Sequence, residues 1–254
     1  MKSKNLKRIL VTRPLEGQSI LCQALSEVGI SPISLPLIKI VPIPIEKPEG
    51  SPVLVENIRK LNKYDTLIFI SPTAARIGFK WVKKYWSIIP LGSKNFAIGP
   101  STARTVESLF GYIVEKSSVG MTSEDLLDIP YLSDVGGKNI GIFRGLAGRH
   151  FLRDELVNRG GIVDYLEVYK REKRKISTEE LVPIFSKKVD GIICLSGEVA
   201  ELLSSFPRNF AMREVPLYVP SVRLVRFAVG LGFTKVVNTN GAEIKNILAS
   251  VSNL

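Results

Sequence analysis

Histidine is almost missing from this chain: His150 is the only one in 254 residues. That excludes a multi-histidine metal site and any His-based catalytic triad. His150 itself is expected to sit solvated in the first turn of a helix. Cysteine is nearly as scarce. Cys22 falls in a helix-like stretch and Cys194 in a strand-like one, so neither a disulfide framework nor a cysteine metal knuckle is expected. No apolar run approaches the ~18 residues that a membrane span requires. The basic start MKSKNLKRILVTRP has no long apolar region before its first strand-like run. The chain therefore reads as cytoplasmic and reduced. Nucleotide signatures are also lacking: no G-x-G-x-x-G follows a strand, and no G-x-x-x-x-G-K-[ST] occurs. The strand ends lack the acidic cluster expected of magnesium-dependent phosphoryl transfer. Any chemistry here is expected to need no metal and no cofactor.

Positive charge is plentiful but spread out. The net charge is +11, and residues 1–40, 41–170 and 171–254 carry +4, +3 and +4 of it. No segment is an isolated basic tail, which argues against a nucleic-acid arm. A diffuse positive field suits a polyanionic small molecule. With 45% apolar and 23% charged residues the composition is globular, and the length allows two domains with a core each.

One α/β unit occurs twice. Residues 9–29 read ILVTRPLEGQSILCQALSEVG and residues 140–160 read IGIFRGLAGRHFLRDELVNRG. Arg13, Gly17, Leu25 and Gly29 recur at the same offsets as Arg144, Gly148, Leu156 and Gly160. A second pair matches the run from Asp65 to Ala75 (DTLIFISPTAA, with Ser71) to the run from Asp190 to Ala200 (DGIICLSGEVA, with Ser196). A third, weaker pair sets Gly99-Pro100-Ser101 against Val219-Pro220-Ser221. If the units are a, b and c, their chain order is a, b′, c′, a′, b, c. A domain b′c′a′ is thus inserted between a and bc, and two domains joined by two crossings of the chain imply a cleft that holds a ligand.

The local patterns agree with this. RILVT, DTLIFIS, FAIG, NIGIFR, GIICLS, LYVP and KVVNT are short strand-like runs, apolar on both faces, as in parallel strands covered by helices on each side. Helix-like segments lie near 17–28, 72–85, 101–110, 123–129, 149–159, 177–187, 197–205, 221–231 and 241–252. Ser71-Pro72 sets a cap before a first-turn proline, and Ser177 to Glu180 forms a capping box. Gly29, Gly111, Gly160 and Gly232 fall where helix ends favour a left-handed residue. The expected fold class is α/β, with two doubly wound parallel-sheet domains of the flavodoxin/Rossmann-like three-layer kind. Two segments break the alternation. Residues 36–52 hold five of the 15 prolines and suit an extended linker or edge strand. Residues 168–176 alternate and carry a basic run, read as a solvated linker face. The boundaries expected are 1–38 plus 173–254 for the first domain and 46–167 for the inserted one. The connectors at 39–45 and 168–172 pair as a two-stranded ladder.

In open α/β sheets ligands bind beyond the carboxyl ends of the strands, where helix N-termini point. The residues expected there are Thr12, Arg13, Ser71, Gly99, Ser101, Thr102, Arg144, Gly145, Ser196, Pro220 and Ser221. The set offers hydroxyls, glycines and arginines, with free backbone N–H groups at helix starts for carboxylates or phosphates. Each residue also has a plain structural reading. Ser71 and Ser196 serve as helix caps, and Arg13 and Arg144 tie down loops.

Taken together these segments resemble the uroporphyrinogen-III synthase family over nearly the whole chain. The likeness is carried by VTRP at 11–14, PLIKIVP at 36–42, YDTLIFISPTA at 64–74 and AIGPSTA at 97–103. SEDLL at 123–127, RGLAGRHFLRDEL at 144–156, a G-x-x-V-x-x-x-x-V-Y stretch ending at Tyr169, and DGIICLSGEVA at 190–200 complete it. Where many relatives carry a Gly- and Thr-rich turn, this chain has VPSVRLV at 219–225. The resemblance implies two α/β domains joined by a two-stranded ladder, with the site in the cleft. It implies conversion of hydroxymethylbilane to uroporphyrinogen III without metal or cofactor: loss of the terminal hydroxyl, attack by the fourth pyrrole to a spiro intermediate, and reclosure with that ring inverted. By the same resemblance Tyr169 is the candidate general acid for the departing hydroxyl, and a phenol is a competent donor at neutral pH. Its alternative is an amphipathic tyrosine packing the connector. Arg13, Ser71, Gly99, Ser101, Thr102, Arg144, Gly145, Ser196 and Ser221 become substrate-binding candidates for a substrate with eight carboxylates. The expected partners are that substrate and the upstream hydroxymethylbilane synthase, with no nucleic acid and no membrane, and the expected state is a monomer. The rival readings are a two-domain protein that closes on an anion without chemistry, and a cytoplasmic ligand-sensing domain. Absence of a signal region speaks against the first, and absence of an attached DNA-binding module speaks against the second.

Overall fold

Ile9, Leu10 and Val11 are consecutive and none has any exposed surface. Successive strand residues point to opposite faces, so such a run requires cover on both sides. The computed structural model provides it. It describes residues 6–47, 51–118, 120 and 122–252. The first five residues of the basic start, and residues 48–50 of the proline-rich segment, lie outside the described residues. The chain divides into two compact units, Met1–Ile40 with Glu172–Leu254, and Val41–Arg171.

The first unit contains β1 (Arg8–Val11), α1 (Gln18–Glu27) and β2 (Ser31–Ser34). The strand β3 (Ile38–Pro42) leads out of it. Within the second unit follow α2 (Pro52–Arg59), β4 (Thr66–Phe69), α3 (Pro72–Tyr85), β5 (Lys94–Ala97) and α4 (Pro100–Phe110). Then come β6 (Val114–Glu115), α5 (Ser123–Leu127), α6 (Pro130–Ser133), β7 (Asn139–Gly145), α7 (Phe151–Asn158) and the long β8 (Ile162–Lys173), which leads back. The first unit resumes with α8 (Thr178–Phe185), β9 (Gly191–Ile193), α9 (Gly197–Ser204), β10 (Leu217–Val219), α10 (Val222–Gly230), β11 (Val236–Asn238) and α11 (Ile244–Ser252).

Its sheet runs β2-β1-β9-β10-β11, with parallel pairing throughout. Ile9, Val11, Ile193 and Tyr218 pack on one face with Leu21 and Leu25 of α1 and Ile247 and Val251 of α11. Leu10, Ile192, Cys194, Leu217 and Val219 face the other way, onto α8, α9 and α10. Cys22 and Cys194 belong to these opposite layers, and both are free thiols.

The second unit repeats the arrangement. Its sheet runs β3-β8-β7-β4-β5-β6, and β8-β7-β4-β5-β6 is parallel. Strand for strand this is the first unit's order, with β7 in the place of β1, β8 of β2, β4 of β9, β5 of β10 and β6 of β11. Ile68, Phe96, Ile140 and Ile142 pack on α5, α6 and α7. On the opposite face Phe69 stacks on Phe143 at 4.7 Å and tilts against Phe110 of α4. The expected fold class of two doubly wound parallel-sheet domains is what the structure has.

β3 is the added edge strand, beside β8. Ile43 N–H donates to Val168 O and Arg174 N–H to Leu37 O, both at 2.9 Å, so one numbering rises while the other falls, as in an antiparallel ladder. Sequence periodicity understated several elements, the two-residue β6 among them. β2 reads SPIS and was not expected as a strand, yet at an edge its proline costs no ladder bond. α2 was hidden in the flank of the proline-rich segment. β8 begins at Ile162, six residues before the expected connector, so Tyr169 lies inside a strand.

Candidate functional site

The strand order β2-β1-β9-β10-β11 reverses direction between β1 and β9, and the second unit's order reverses between β7 and β4. At such a reversal the loops beyond the two strands diverge and leave a crevice at their carboxyl ends. In the first unit the residues delivered there are Thr12, Arg13 and Ser196. Thr12 Oγ1 donates to Ile193 O at 2.7 Å and joins the two strand ends. In the second unit they are Arg144, Gly145 and Ser71, with Ile70 N–H donating to Phe143 O at 3.3 Å.

Three serines share one local role. Ser71 Oγ accepts from Ala74 N–H at 3.1 Å, Ser196 Oγ from Val199 N–H at 3.4 Å, and Ser221 Oγ from Leu224 N–H at 3.3 Å. Each has extended backbone at the cap position and is partly exposed. The capping reading therefore holds for Ser71 and Ser196, and Ser221 is found to cap α10 in the same way. Capping uses one lone pair and leaves the hydroxyl proton without an acceptor among the described residues.

The third repeated pair precedes matching helices, α4 after β5 and α10 after β10, but the two helices start differently. α4 begins at Pro100 with Gly99 as its cap residue, at φ 79° and without a side-chain cap, whereas α10 begins two residues later in its motif, behind Ser221. Ser101 is thus exposed in the first turn of α4, and the N–H groups of Ser101 and Thr102 have no intrahelical partner. Thr102 is 2% exposed. Its hydroxyl makes no hydrogen bond among the described residues.

The two arginines diverge more sharply. In both copies the glycine four residues on adopts a left-handed conformation, Gly17 at φ 100° and Gly148 at φ 103°, and lets the guanidinium lie over the loop. Arg144 is 4% exposed and tied down there. Its Nε donates to Gly145 O at 3.0 Å, Nη1 to Arg149 O at 3.3 Å, and Nη2 to Ala147 O. Glu167 stands 3.8 Å from Nε, and the guanidinium lies over the Tyr165 ring at 4.2 Å. Arg13 is half-buried, and burial pulls its pKa below the ordinary arginine value. Among the described residues its guanidinium has no hydrogen-bond or ion-pair partner. Arg144 follows the loop-tie reading, while the Arg13 guanidinium is partly desolvated and unpaired among the described residues.

Tyr169 is 7% exposed. Opposite it, β7 and β8 shift register: Arg144 pairs with Glu167, but Gly145 pairs with Tyr169, so Val168 is the extra residue of a bulge. Leu146 N–H donates to Tyr169 O at 2.6 Å. The ring lies against Gly145, and its hydroxyl makes no hydrogen bond among the described residues.

Sequence reasoning did not foresee the surroundings of Arg144. Tyr165, Glu167 and His150 gather there, with His150 Nδ1 3.1 Å from the Tyr165 hydroxyl. His150 is exposed and caps α7 by position rather than lying within its first turn. No spacing signal points to this group, because the register of β8 against β7 assembles it. The buried Cys194 thiol is pushed up to about 12 by burial, against the effect of its bond to Ser196 O, and is no nucleophile at neutral pH. Among the described residues no group of three or more His, Cys, Asp or Glu is placed to hold a metal ion, and no helix is long and apolar enough to cross a membrane.

The sequence profile of the family described as uroporphyrinogen-III synthase HemD matches residues 19–249. The uroporphyrinogen-III synthase of Salmonella typhimurium is 27% identical over 248 residues, covering 96% of this chain and 99% of that protein. That of Escherichia coli is 28% identical over 251 residues, with the same coverage of 96% and 99%. Among solved structures, a mutant uroporphyrinogen III synthase from Thermus thermophilus matches with a TM-score of 0.64 at 15% identity, covering 97% of this chain and 98% of that one. The Helicobacter pylori uroporphyrinogen-III synthetase matches with a TM-score of 0.62 at 14% identity, covering 98% and 99%. At these identities the structural matches speak for the fold alone.

Proposed function

The chain belongs to the uroporphyrinogen-III synthase family, enzymes of the lyase class, and from that premise we propose how its residues serve the reaction. The substrate is hydroxymethylbilane, a linear tetrapyrrole with eight carboxylates. The reaction removes its terminal hydroxyl as water, closes the ring through a spiro intermediate and leaves the fourth pyrrole inverted in uroporphyrinogen III. Spontaneous closure yields the symmetric type I isomer. The enzyme must therefore control the fold of a reactive chain more than supply strong acid or base.

One observation carries the assignment of the acid group. The Tyr169 hydroxyl belongs to a residue only 7% exposed, yet has no hydrogen-bond partner among the described residues. Among the described residues the side-chain atoms that are both buried and unpaired are Thr66 Oγ1 and Trp81 Nε1. The Tyr169 hydroxyl is not one of them, so the small exposure of this residue reaches its unpaired hydroxyl, which suits it to a substrate oxygen. Tyr169 donates its hydrogen bond to the departing hydroxyl and assists its loss as water.

The carboxylates are held by groups at the strand ends of each unit. Arg13 is the guanidinium for a charge-assisted contact, supported by its half-burial and lack of an internal partner. Ser71, Ser196 and Ser221 offer hydroxyl protons that capping leaves free. Gly99, Ser101 and Thr102 offer the uncapped N-terminus of α4. Arg144 and Gly145 border the same edge of the second unit. Fixing many carboxylates restricts a flexible chain before it reacts, an entropic contribution that reaches ~7 kcal/mol or more in favourable systems. The same proposal has the enzyme acting as a cytoplasmic monomer on the product of hydroxymethylbilane synthase.

The test is to generate hydroxymethylbilane in situ with the purified protein present, oxidise the products and separate the isomers. Type III in excess is expected. Type I alone, together with simple binding of the bilane, would leave the anion-binding alternative in its place.

A further inference from the structure

We infer that Gly145, fastened by Arg144, is the positioning residue for Tyr169, an inference that rests on the reading of Tyr169 as the acid group. A Cβ at Gly145 would fall 2.7 Å from both Cε2 and Cζ of Tyr169 and 3.1 Å from its hydroxyl oxygen. The two carbon distances are shorter than Cβ contacts in folded proteins come, and the third is tight, so the ring would have to shift. The backbone does not call for glycine here, since Gly145 is not among the residues with positive φ. What requires glycine at this position is therefore the tyrosine ring itself.

Three further contacts fix this arrangement. The bulge at Val168 brings Tyr169, in place of its neighbour, opposite Gly145. The 2.6 Å bond from Leu146 N–H to Tyr169 O locks the two backbones just beyond that point. Arg144 then holds the other side: its Nε bonds Gly145 O at 3.0 Å, and Glu167, two residues before Tyr169, lies 3.8 Å from the same nitrogen. The guanidinium thus ties the residue under the ring to the strand that carries the ring. The repeat provides the contrast. At the equivalent place the first unit has Pro14 after Arg13, and Arg13 makes none of these bonds. One copy of the motif keeps an open cation while the other has become a seat for Tyr169.

A glycine kept only for packing would affect stability alike in every background, and a substrate contact would chiefly raise KM. A positioning residue acts through the phenol. The experiment is a double-mutant cycle on the full chain, with Gly145→Ala, Tyr169→Phe and both together, read as kcat, KM and the ratio of type III to type I product. Gly145→Ala is expected to lower kcat between about tenfold and a hundredfold, the scale of a sub-ångström to 1 Å misplacement, with KM changed by less than about threefold. Once the hydroxyl is gone in Tyr169→Phe, adding Gly145→Ala is expected to cost less than about twofold more. Wild-type kcat in Gly145→Ala, or an equal loss in both backgrounds, overturns the inference and leaves Tyr169 as acid untouched. Wild-type turnover in Tyr169→Phe removes the acid reading and this inference with it. If Gly145→Ala lacks a cooperative thermal transition, the same cycle is run with Arg144→Lys, which keeps the charge but not the bond geometry. Non-additivity with Tyr169→Phe is again expected, and additivity again overturns the inference.

Discussion

The carboxylate of Asp190 accepts a hydrogen bond from the backbone N–H of Arg8 at 2.9 Å, and Asp190 N–H donates to Arg8 O at 2.8 Å. The second unit has the same double clasp between Asp65 and Asn139, at 2.8 and 2.9 Å. In the first unit the strand partner precedes the aspartate by 182 residues, and in the second it follows by 74. The clasp joins the starts of the two strands that flank the reversal in the sheet. It survives the permutation because it depends on spatial neighbours and is indifferent to chain order.

Asp190 gives the first prediction. Burial raises its pKa, but the Lys188 ammonium at 2.7 Å and the Arg8 amide outweigh burial and hold it below the ordinary value of 3.8. A carboxylate depressed on folding stabilises above its unfolded pKa of about 3.9, and that stability is lost as pH falls through the lower folded value. Asp190→Asn is expected to lower stability by about 1–2 kcal/mol at pH 7 and to flatten the decline below pH about 4. Urea melts at pH 7 and pH 3 measure it; a wild-type difference between the two pH values would refute it.

Arg13 and Arg144 should part company on mutation. Arg13→Gln removes a desolvated cation with no internal partner, so the melting temperature should hold or rise while KM for hydroxymethylbilane rises roughly tenfold. Arg144→Gln breaks three bonds of a buried guanidinium and should cost about 2–3 kcal/mol of stability. Thermal melts and steady-state kinetics on both variants decide the matter. A melting-temperature loss in Arg13→Gln as large as in Arg144→Gln would mean that both are structural ties.

Gly78 lies in the middle of α3, where alanine would ordinarily gain about 1 kcal/mol of helix propensity. A Cβ there would meet Phe143 at 2.6 Å, and Phe143 is itself clamped by the stacked Phe69 ring. Overpacking a fixed ring costs about 1–3 kcal/mol and often more, so steric conflict wins. Gly78→Ala is expected to be destabilised in a denaturant melt, and a stabilised variant would show that α3 can move off the sheet.

The repeat was legible because its requirements are local. Gly29 and Gly160 end their helices at φ 78° and 83°, and Leu25 and Leu156 are both fully buried, so the sequence had to keep the same residue types at the same offsets. The serine caps were legible for the same reason. β2 and α2 were not, because an edge strand with a proline and a helix emerging from a proline-rich segment carry little periodic signal. The third repeated pair marked matching helices, α4 and α10, but not their starts, since the shared Pro-Ser motif begins its helix at Pro100 in one unit and at Val222 in the other.

By itself the sequence determined the two doubly wound units, their permuted order and the residue types at the strand ends, for these follow from hydrophobic period, glycine conformation and capping chemistry within a few residues. Only the tertiary structure decided what each strand-end residue contacts. Arg13 and Arg144 occupy matching places in matching motifs, yet one is left open and the other is bonded to its own loop. The strand beyond adds to this: β8 brings Tyr165 and Glu167 beside Arg144 in regular register, and a one-residue bulge then sets Tyr169 opposite Gly145. Such a register shift arises from pairing between distant segments, and no local pattern encodes it.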